Sequence, residues 1–397
     1  MPNFESPDRN HEAVVVGAGA AGLGAAVELG RRGISAIVLE GADEIGSSWA
    51  RRYERLHLNT VRWLSAPRHS RIPRSAGRWP SRESFVEHLR DFARRESLAI
   101  EFGAEVTRID RDQGGYVLET SAGPRRARYV VVATGYDHSP FFPPWPGLET
   151  FEGKLIHSAE YRGAGNFQDR EVLVIGAGNT GTEIAVQLHR GGATRVWMSV
   201  RTPPNIVPLE PLGIPITLFA RLSEIQPSAV VDRVGAALQR LALGNLSPYG
   251  LPSAPYGIGT ELRVKGLGPV VDRGFVRALK AGDVELVPPV EGFDGDRVLL
   301  ADGSHVEPQA AIAATGYRHG LERLVGHLGV LQPSGRPTCI RGEANPEAPG
   351  LYFSGFWLPA SGQLPAMRRT TRRIGREIAR QRRADRSRPS LDAEPVE

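Results

Sequence analysis

A glycine hexapeptide of the form GxGxxG occurs twice in this chain, as GAGAAG at residues 17–22 and as GAGNTG at residues 176–181. The first follows an apolar run at 13–16 and opens an alanine-rich segment that reaches residue 32, with a second apolar run at 35–39. The second repeats the plan, with apolar runs at 171–175 and 195–200 around a helical segment ending near 190. Strand, tight turn and helix in this order leave little choice of fold: the first glycine allows the turn, the second admits a diphosphate against the backbone, and the third lets helix and strand pack closely. Each copy then passes through an alternating hairpin region to a strand closing on Ala-Thr-Gly-Tyr, at 129–136 and 310–317. The pattern is an internal duplication of a nucleotide-binding α/β domain.

The ends of the second strands make the two copies unequal. Glu40 stands about 20 residues beyond the first turn, where a carboxylate accepts hydrogen bonds from ribose hydroxyls and repels a 2′-phosphate. The second copy offers Arg201 instead, a fixed cation with a donor fork suited to phosphate. FAD is therefore expected on Gly17, Gly19, Ala20, Gly22 and Glu40, and NADPH on Gly176, Gly178, Asn179, Thr180, Gly181 and Arg201. Gly135 and Gly316, in the paired Ala-Thr-Gly-Tyr segments, are expected to allow close backbone approach near the nucleotides or the interdomain linkers.

A flavin and a nicotinamide on one chain imply hydride transfer to the flavin and leave open where the electrons go. Cys339 is the single cysteine. It excludes both an intrachain disulfide and a redox dithiol, and no ligand cluster for iron-sulfur, haem or another metal accompanies it. Oxygen, a small quinone or an external carrier stays as the acceptor. One cysteine suits a reducing cytoplasm, and that is the expected location. Neither a secretory signal nor a membrane span is expected, since no run approaches about 20 apolar residues and a charged stretch precedes the first strand.

The net charge of +5 hints at nucleic acid, but ten arginines fall between residues 368 and 388. No aromatic interleaving accompanies them, so a solvated helix face is expected and no nucleic-acid partner. At 397 residues, 41% hydrophobic and 23% charged, the chain is long enough for two cored domains. Ser81 caps a predicted helix with Phe85, Leu89 and Phe92 on one face, after an aromatic stretch holding Trp49, Tyr53, Trp63 and Trp79. Residues 203–275, rich in proline and glycine, lengthen the second copy and contain one apolar helix near 228–243. A short strand within 350–356 leads into a last helix with Met367, Thr371, Ile374 and Ile378 on one stripe, and the tail from 383 is expected to be disordered.

Between the two copies Phe151, Gly153, His157 and Tyr161 spell FxGxxxHxxx followed by an aromatic. With this motif the chain resembles the class B flavin monooxygenases, which include flavin-containing, plant YUCCA-type and Baeyer-Villiger enzymes. Tyr161, where the Baeyer-Villiger version has tryptophan, points to the first two branches. Residues 249–252 (YGLP) and 268–272 (GPVVD) are similar to the YUCCA branch, and 58–60 (LNT) to the flavin-containing one. The resemblance implies an FAD flavin that captures oxygen as a hydroperoxide at carbon 4a while NADP+ shields it, with Asn59 and Trp49 beside the flavin as the catalytic surroundings. It also implies Gln363 and Leu364 at the flavin pyrimidine edge, whereas His157 is expected to be a hinge or packing residue.

The expected fold is α/β, two doubly wound Rossmann-like dinucleotide-binding domains with the NADPH domain inserted in a discontinuous FAD domain. The expected bounds are 1–162 and 320–390 for FAD, 163–319 for NADPH, and 383–397 for the tail. The expected activity is NADPH- and oxygen-dependent monooxygenation of a small apolar substrate. Nitrogen or sulfur oxygenation, oxidative decarboxylation of a 2-oxo acid and Baeyer-Villiger insertion into a ketone are not separable at this level. A reductase serving a carrier protein and a non-catalytic redox module are the rival classes, and homo-oligomerisation is left open.

Overall fold

The computed structural model describes residues 10–386. Asn10–Val16 lies between Ala36–Leu39 and Arg125–Val132, all parallel, and Ile100–Glu101 extends the sheet beyond Ala36–Leu39. Within the first three strands, residues 13–16, 38–39 and 129–132 are apolar and buried on both faces, which is what a helix-covered parallel sheet requires. The antiparallel hairpin Val106–Asp112 and Gly115–Thr120 takes one part of the outer edge of Arg125–Val132. Leu351–Phe353 pairs parallel with the rest of that edge, at Val130 to Val132. The last part of the chain thus completes the first sheet.

The second sheet is wholly parallel, in the order Glu285–Val287, Arg195–Ser199, Glu171–Ile175, Ala310–Ala313, Lys154–His157. Its last member corrects the expected boundary at residue 162. Lys154–His157 precedes that boundary yet bonds in register with Ala310–Ala313, placing it in the second sheet. A four-residue apolar run carries no local mark of which sheet it will join.

The 203–275 insertion holds more structure than the single predicted helix. Ile206–Pro208 and Val270–Asp272 pair in parallel at its two ends, and Ile216–Ser223, Ser228–Leu243 and Ile258–Lys265 are helical between them. Within Ser228–Leu243 only Leu243 is buried, so that apolar helix joins the core at its last residue alone.

Ser81 caps Arg82–Arg95 as expected, its hydroxyl accepting from the Ser84 N–H at 3.2 Å, and Phe85, Leu89 and Phe92 are buried beneath it. The C-terminal helix Gln363–Arg386 packs on the first fingerprint helix Ala20–Gly30, where small residues let the two approach. A Cβ on Gly24 would lie 3.5 Å from Thr371, and one on Gly375 would lie 3.1 Å from the Glu28 carbonyl. Ile374 and Ile378 are fully buried there, each contributing about 1.5–3 kcal/mol. Residues 383–386 belong to this helix, which corrects the expected start of a disordered tail, and the remainder of that tail lies outside the described residues. Several of the helix arginines are paired, Arg369 with Glu224, Arg373 with Glu343 and Arg382 with Glu12.

Glu28 is buried in the first fingerprint helix. Burial opposes its ionisation, but bonds from Arg32, His69 and Arg68 prevail and hold the carboxyl below its ordinary range. Among the described residues no helix is long and apolar enough to cross a membrane.

Candidate active site

Both glycine turns stand at the carboxyl ends of their sheets and share one geometry. The first glycine has a left-handed φ, 106° at Gly17 and 113° at Gly176, and lies against the end of the last strand. A Cβ there would sit 2.7 Å from the Ala133 oxygen and 2.6 Å from the Ala314 oxygen. At the third glycine the obstacle is the turn itself, since a Cβ on Gly22 or Gly181 would lie 1.8 or 2.0 Å from the carbonyl of Gly17 or Gly176. Gly19 and Gly178 differ, because a Cβ on either would meet nothing within 4 Å.

These second glycines are the N-caps of Ala20–Gly30 and Asn179–Arg190, and neither helix has a side-chain cap. Free N–H groups, a helix dipole and an open approach are what a diphosphate needs, so both turns fit a dinucleotide. Ala20 and Thr180 lie in the first helical turns. At the carboxyl end of the first sheet the hydroxyls of Thr134 and Ser354 are buried with no hydrogen-bond partner, as expected where a polar ligand would supply one.

Glu40 follows Ala36–Leu39 and is held beside the first turn. One carboxylate oxygen accepts from the Ala18 N–H at 2.6 Å, and the other from the Ala42 N–H at 3.0 Å and the Ser47 hydroxyl at 3.3 Å. Arg201 follows Arg195–Ser199, is exposed, and makes no hydrogen bond or ion pair among the described residues. A fixed carboxylate in one copy and an unengaged guanidinium in the other fit ribose hydroxyls and a 2′-phosphate respectively.

Asn59 and Asn179 come from different domains and face each other, with Asn59 Nδ2 3.5 Å from Asn179 Oδ1. Around them lies a polar cluster that local sequence patterns did not reveal. Arg273, from the end of the insertion, donates from Nε to Asn59 Oδ1 and from Nη2 to the Leu58 carbonyl, both at 2.8 Å. Glu183, one turn along the helix from Asn179, lies 3.8 Å from Arg273 and accepts from the Tyr53 hydroxyl at 2.7 Å. Burial pushes the Glu183 carboxyl up and the Tyr53 phenol well up, and pulls the Arg273 guanidinium down. Trp79 closes one side, its ring 5.8 Å from the guanidinium and its Nε1 donating to Glu210 of the insertion at 2.9 Å. Glu183 had a readable signal, since residues four apart share a helix face. Arg273 had none, because nothing near it in sequence points to Asn59.

Trp49 packs edge-on against Phe85 with ring centres 4.9 Å apart, beneath the turn that carries Ser47. Gln363 starts the C-terminal helix and donates to the Gly355 carbonyl at 2.6 Å, while Leu364 is buried behind it. Gly135 and Gly316 have φ of 99° and 86°, and a Cβ on either would meet nothing within 4 Å, so the turn rather than close protein packing requires glycine. His157 is fully buried. Its Nδ1 accepts from the Ala159 N–H, which leaves Nε2 to donate to the Gly316 carbonyl, each at 3.1 Å, and burial lowers its pKa. Both ring nitrogens are thereby engaged, Nε2 holding the second Ala-Thr-Gly-Tyr turn and Nδ1 the turn that follows His157 itself. A groove of about 470 Å³ containing Arg195, Glu285 and His305 lies at the amino ends of the second sheet, opposite the glycine turns.

Residues 14–207 match the pyridine nucleotide-disulphide oxidoreductase family model. The chain is 32% identical over 352 residues to "Probable indole-3-pyruvate monooxygenase YUCCA9" of Arabidopsis thaliana, covering 86% of this chain and 83% of the relative. It is 34% identical over 311 residues to indole-3-pyruvate monooxygenase YUCCA1 of Oryza sativa subsp. japonica, covering 77% and 76%. Among solved structures, the flavin-containing monooxygenase from Stenotrophomonas maltophilia is similar in fold, with a TM-score of 0.71 and 23% identity over 94% of this chain and 99% of that one.

Proposed function

The chain belongs to the class B flavin-dependent monooxygenases and uses FAD, NADPH and oxygen, and within that class we propose that its substrate is a small, largely apolar 2-oxo acid. The 2-oxo acid would be oxidised with loss of carbon dioxide. One oxygen atom enters the shortened carboxylic acid, the other leaves as water, and NADPH supplies the two electrons. The choice of substrate is supported by the relatives named for indole-3-pyruvate, which align over most of the chain.

The observation that carries the reading is the meeting of Asn59 with Asn179 at 3.5 Å. One comes from the first domain and the other from the second glycine turn, so the two nucleotide sites open on a common cleft. When bound, FAD supplies the redox chemistry, taking hydride from NADPH and passing the electrons to oxygen.

The residues of the chain bind, orient and protect. Gly17, Gly19 and Gly22 with the Ala20–Gly30 N-terminus would hold the FAD diphosphate, and Glu40 its ribose. Gly176, Gly178 and Gly181 with the Asn179–Arg190 N-terminus would hold that of NADPH, and Arg201 its 2′-phosphate. Asn59 keeps an amide donor in the cleft, which favours negative charge developing on oxygen, and Trp79 keeps water from one side. The lone Cys339 offers no dithiol route, whatever the family model is called. A cytoplasmic setting is part of the proposal, and a homo-oligomer is compatible with it.

The test is a substrate panel on the purified yellow enzyme: an aryl 2-oxo acid, an organic sulfide and a cyclic ketone, each with NADPH in air. One carbon dioxide released per NADPH consumed with the 2-oxo acid is the expected result. Oxygenation of the sulfide or ketone without turnover of the acid would overturn the substrate proposal, and electrons passing only to a carrier protein would overturn the oxygenation.

A further inference from the structure

Asn59 can serve the cleft in only one of its two amide orientations. With Nδ2 inward it presents a hydrogen-bond donor, and with Oδ1 inward an acceptor, and the side chain by itself has little reason to prefer either. The fork of Arg273 removes that freedom. A guanidinium only donates, so the oxygen 2.8 Å from its Nε must be the Asn59 carbonyl oxygen, and the NH2 must face away, towards Asn179 and the Glu183 carboxylate, which only accepts.

The backbone that delivers Arg273 is fixed on both sides. Val270–Asp272 is bonded to Ile206–Pro208, and the Asp272 carboxylate caps Phe275–Ala281 by accepting from the Gly274 and Val276 N–H groups at 3.1 Å. The same short strap reaches the other asparagine. Val271 N–H donates to Asn179 Oδ1 at 2.8 Å, and Asn179 Nδ2 lies 3.5 Å from the Pro269 carbonyl. One segment, 269–273, thus sets the orientation of both amides. Glu183 and Trp79 flank the guanidinium on its remaining sides and keep the fork in place.

We propose that Arg273 is a positioning residue: it locks the Asn59 amide with its donor towards the cleft, and through that orientation limits the wasteful passage of electrons from NADPH to hydrogen peroxide. The inference is independent of which substrate the enzyme takes, so its test needs none. Hydrogen peroxide release is measured during NADPH oxidation in air without substrate, for the wild type, Asn59→Ala, Arg273→Met, Arg273→Lys and the double variant Asn59→Ala/Arg273→Met. NADP+ dissociation constants are measured on the same set from the change in flavin absorbance.

Each single substitution is expected to raise the peroxide rate about tenfold, and Arg273→Lys should do so too, because an ammonium keeps the charge beside Glu183 but cannot form two parallel bonds. The double variant should leak no faster than Asn59→Ala alone, to within about twofold, since a residue that acts through another adds nothing once the other is gone. The NADP+ constants should follow the same rule, each rising about fivefold with no further rise in the double variant. Multiplying effects in the double variant, wild-type leakage in Arg273→Met, or full retention of coupling in Arg273→Lys would each overturn the proposal.

Discussion

Gly178→Ala and Gly181→Ala add the same methyl group three residues apart, and the structure assigns them opposite consequences. At Gly178 the φ of −76° suits any residue, and the new Cβ meets no atom within 4 Å. The poorer N-cap is offset by about 0.4–1 kcal/mol from a stiffer unfolded chain, so melting should stay within a few degrees of the wild type. The methyl would instead stand where a diphosphate approaches the helix N-terminus. Losing one charge-assisted bond at about 1.5–3 kcal/mol raises the KM for NADPH roughly 10- to 150-fold. At Gly181 the Cβ would lie 2.0 Å from the Gly176 carbonyl oxygen, so backbone must move by about 1 Å to reach even the closest contact Cβ atoms show. Overpacking of this kind costs roughly 1–3 kcal/mol and lowers the melting temperature by roughly 3–10 °C. The assays are flavin-fluorescence melting and steady-state NADPH oxidation, with flavin content checked by absorbance. An unchanged KM in Gly178→Ala, or wild-type melting in Gly181→Ala, would refute the roles assigned to the two glycines.

Arg201→Ala should weaken NADPH about tenfold or more while changing NADH less than twofold, and equal losses for both would remove the 2′-phosphate assignment. Burial holds the His88 imidazole down at about 4 against an ordinary 6.5, so the folded protein takes up this proton later than the unfolded one. Its stability is therefore unaffected above that ordinary value and falls as the pH drops towards 4, by about 2 kcal/mol at pH 5. His88→Gln should flatten this part of the urea-midpoint profile, and an unchanged slope would contradict it. Tyr53→Phe removes the hydroxyl that donates to buried Glu183 at 2.7 Å and should cost about 1–3 kcal/mol in urea unfolding, an unaltered midpoint counting against it.

Much of the fold is legible in the chain because its determinants are local. Gly17 and Gly176 need a left-handed φ, Ser81 caps a helix within four residues, and Thr371, Ile374 and Ile378 recur at helical spacing. The geometry of the two turns is legible for the same reason, since turn, helix N-terminus and strand end fall within one short stretch. The partners of Asn59 are not, because Arg273, which bonds it at 2.8 Å, stands 214 positions away. Lys154–His157 and Leu351–Phe353 are also silent, since a short apolar run satisfies either sheet equally well until its neighbours exist.

By itself, then, the sequence determined that the chain builds two glycine turns between strand and helix, that a carboxylate follows one and an arginine the other, and that one cysteine leaves no dithiol route. Only the tertiary structure decided that Asn59 meets Asn179 of the second turn, that a late strand completes the first sheet, and that an insertion reaches back to bond Asn59. The division follows the range of the forces. Backbone sterics, capping and side-chain periodicity act over a few residues and leave their mark in the local order of amino acids. Burial and the pairing of a guanidinium with an amide from another domain depend on how every layer packs, and no short stretch of sequence records that.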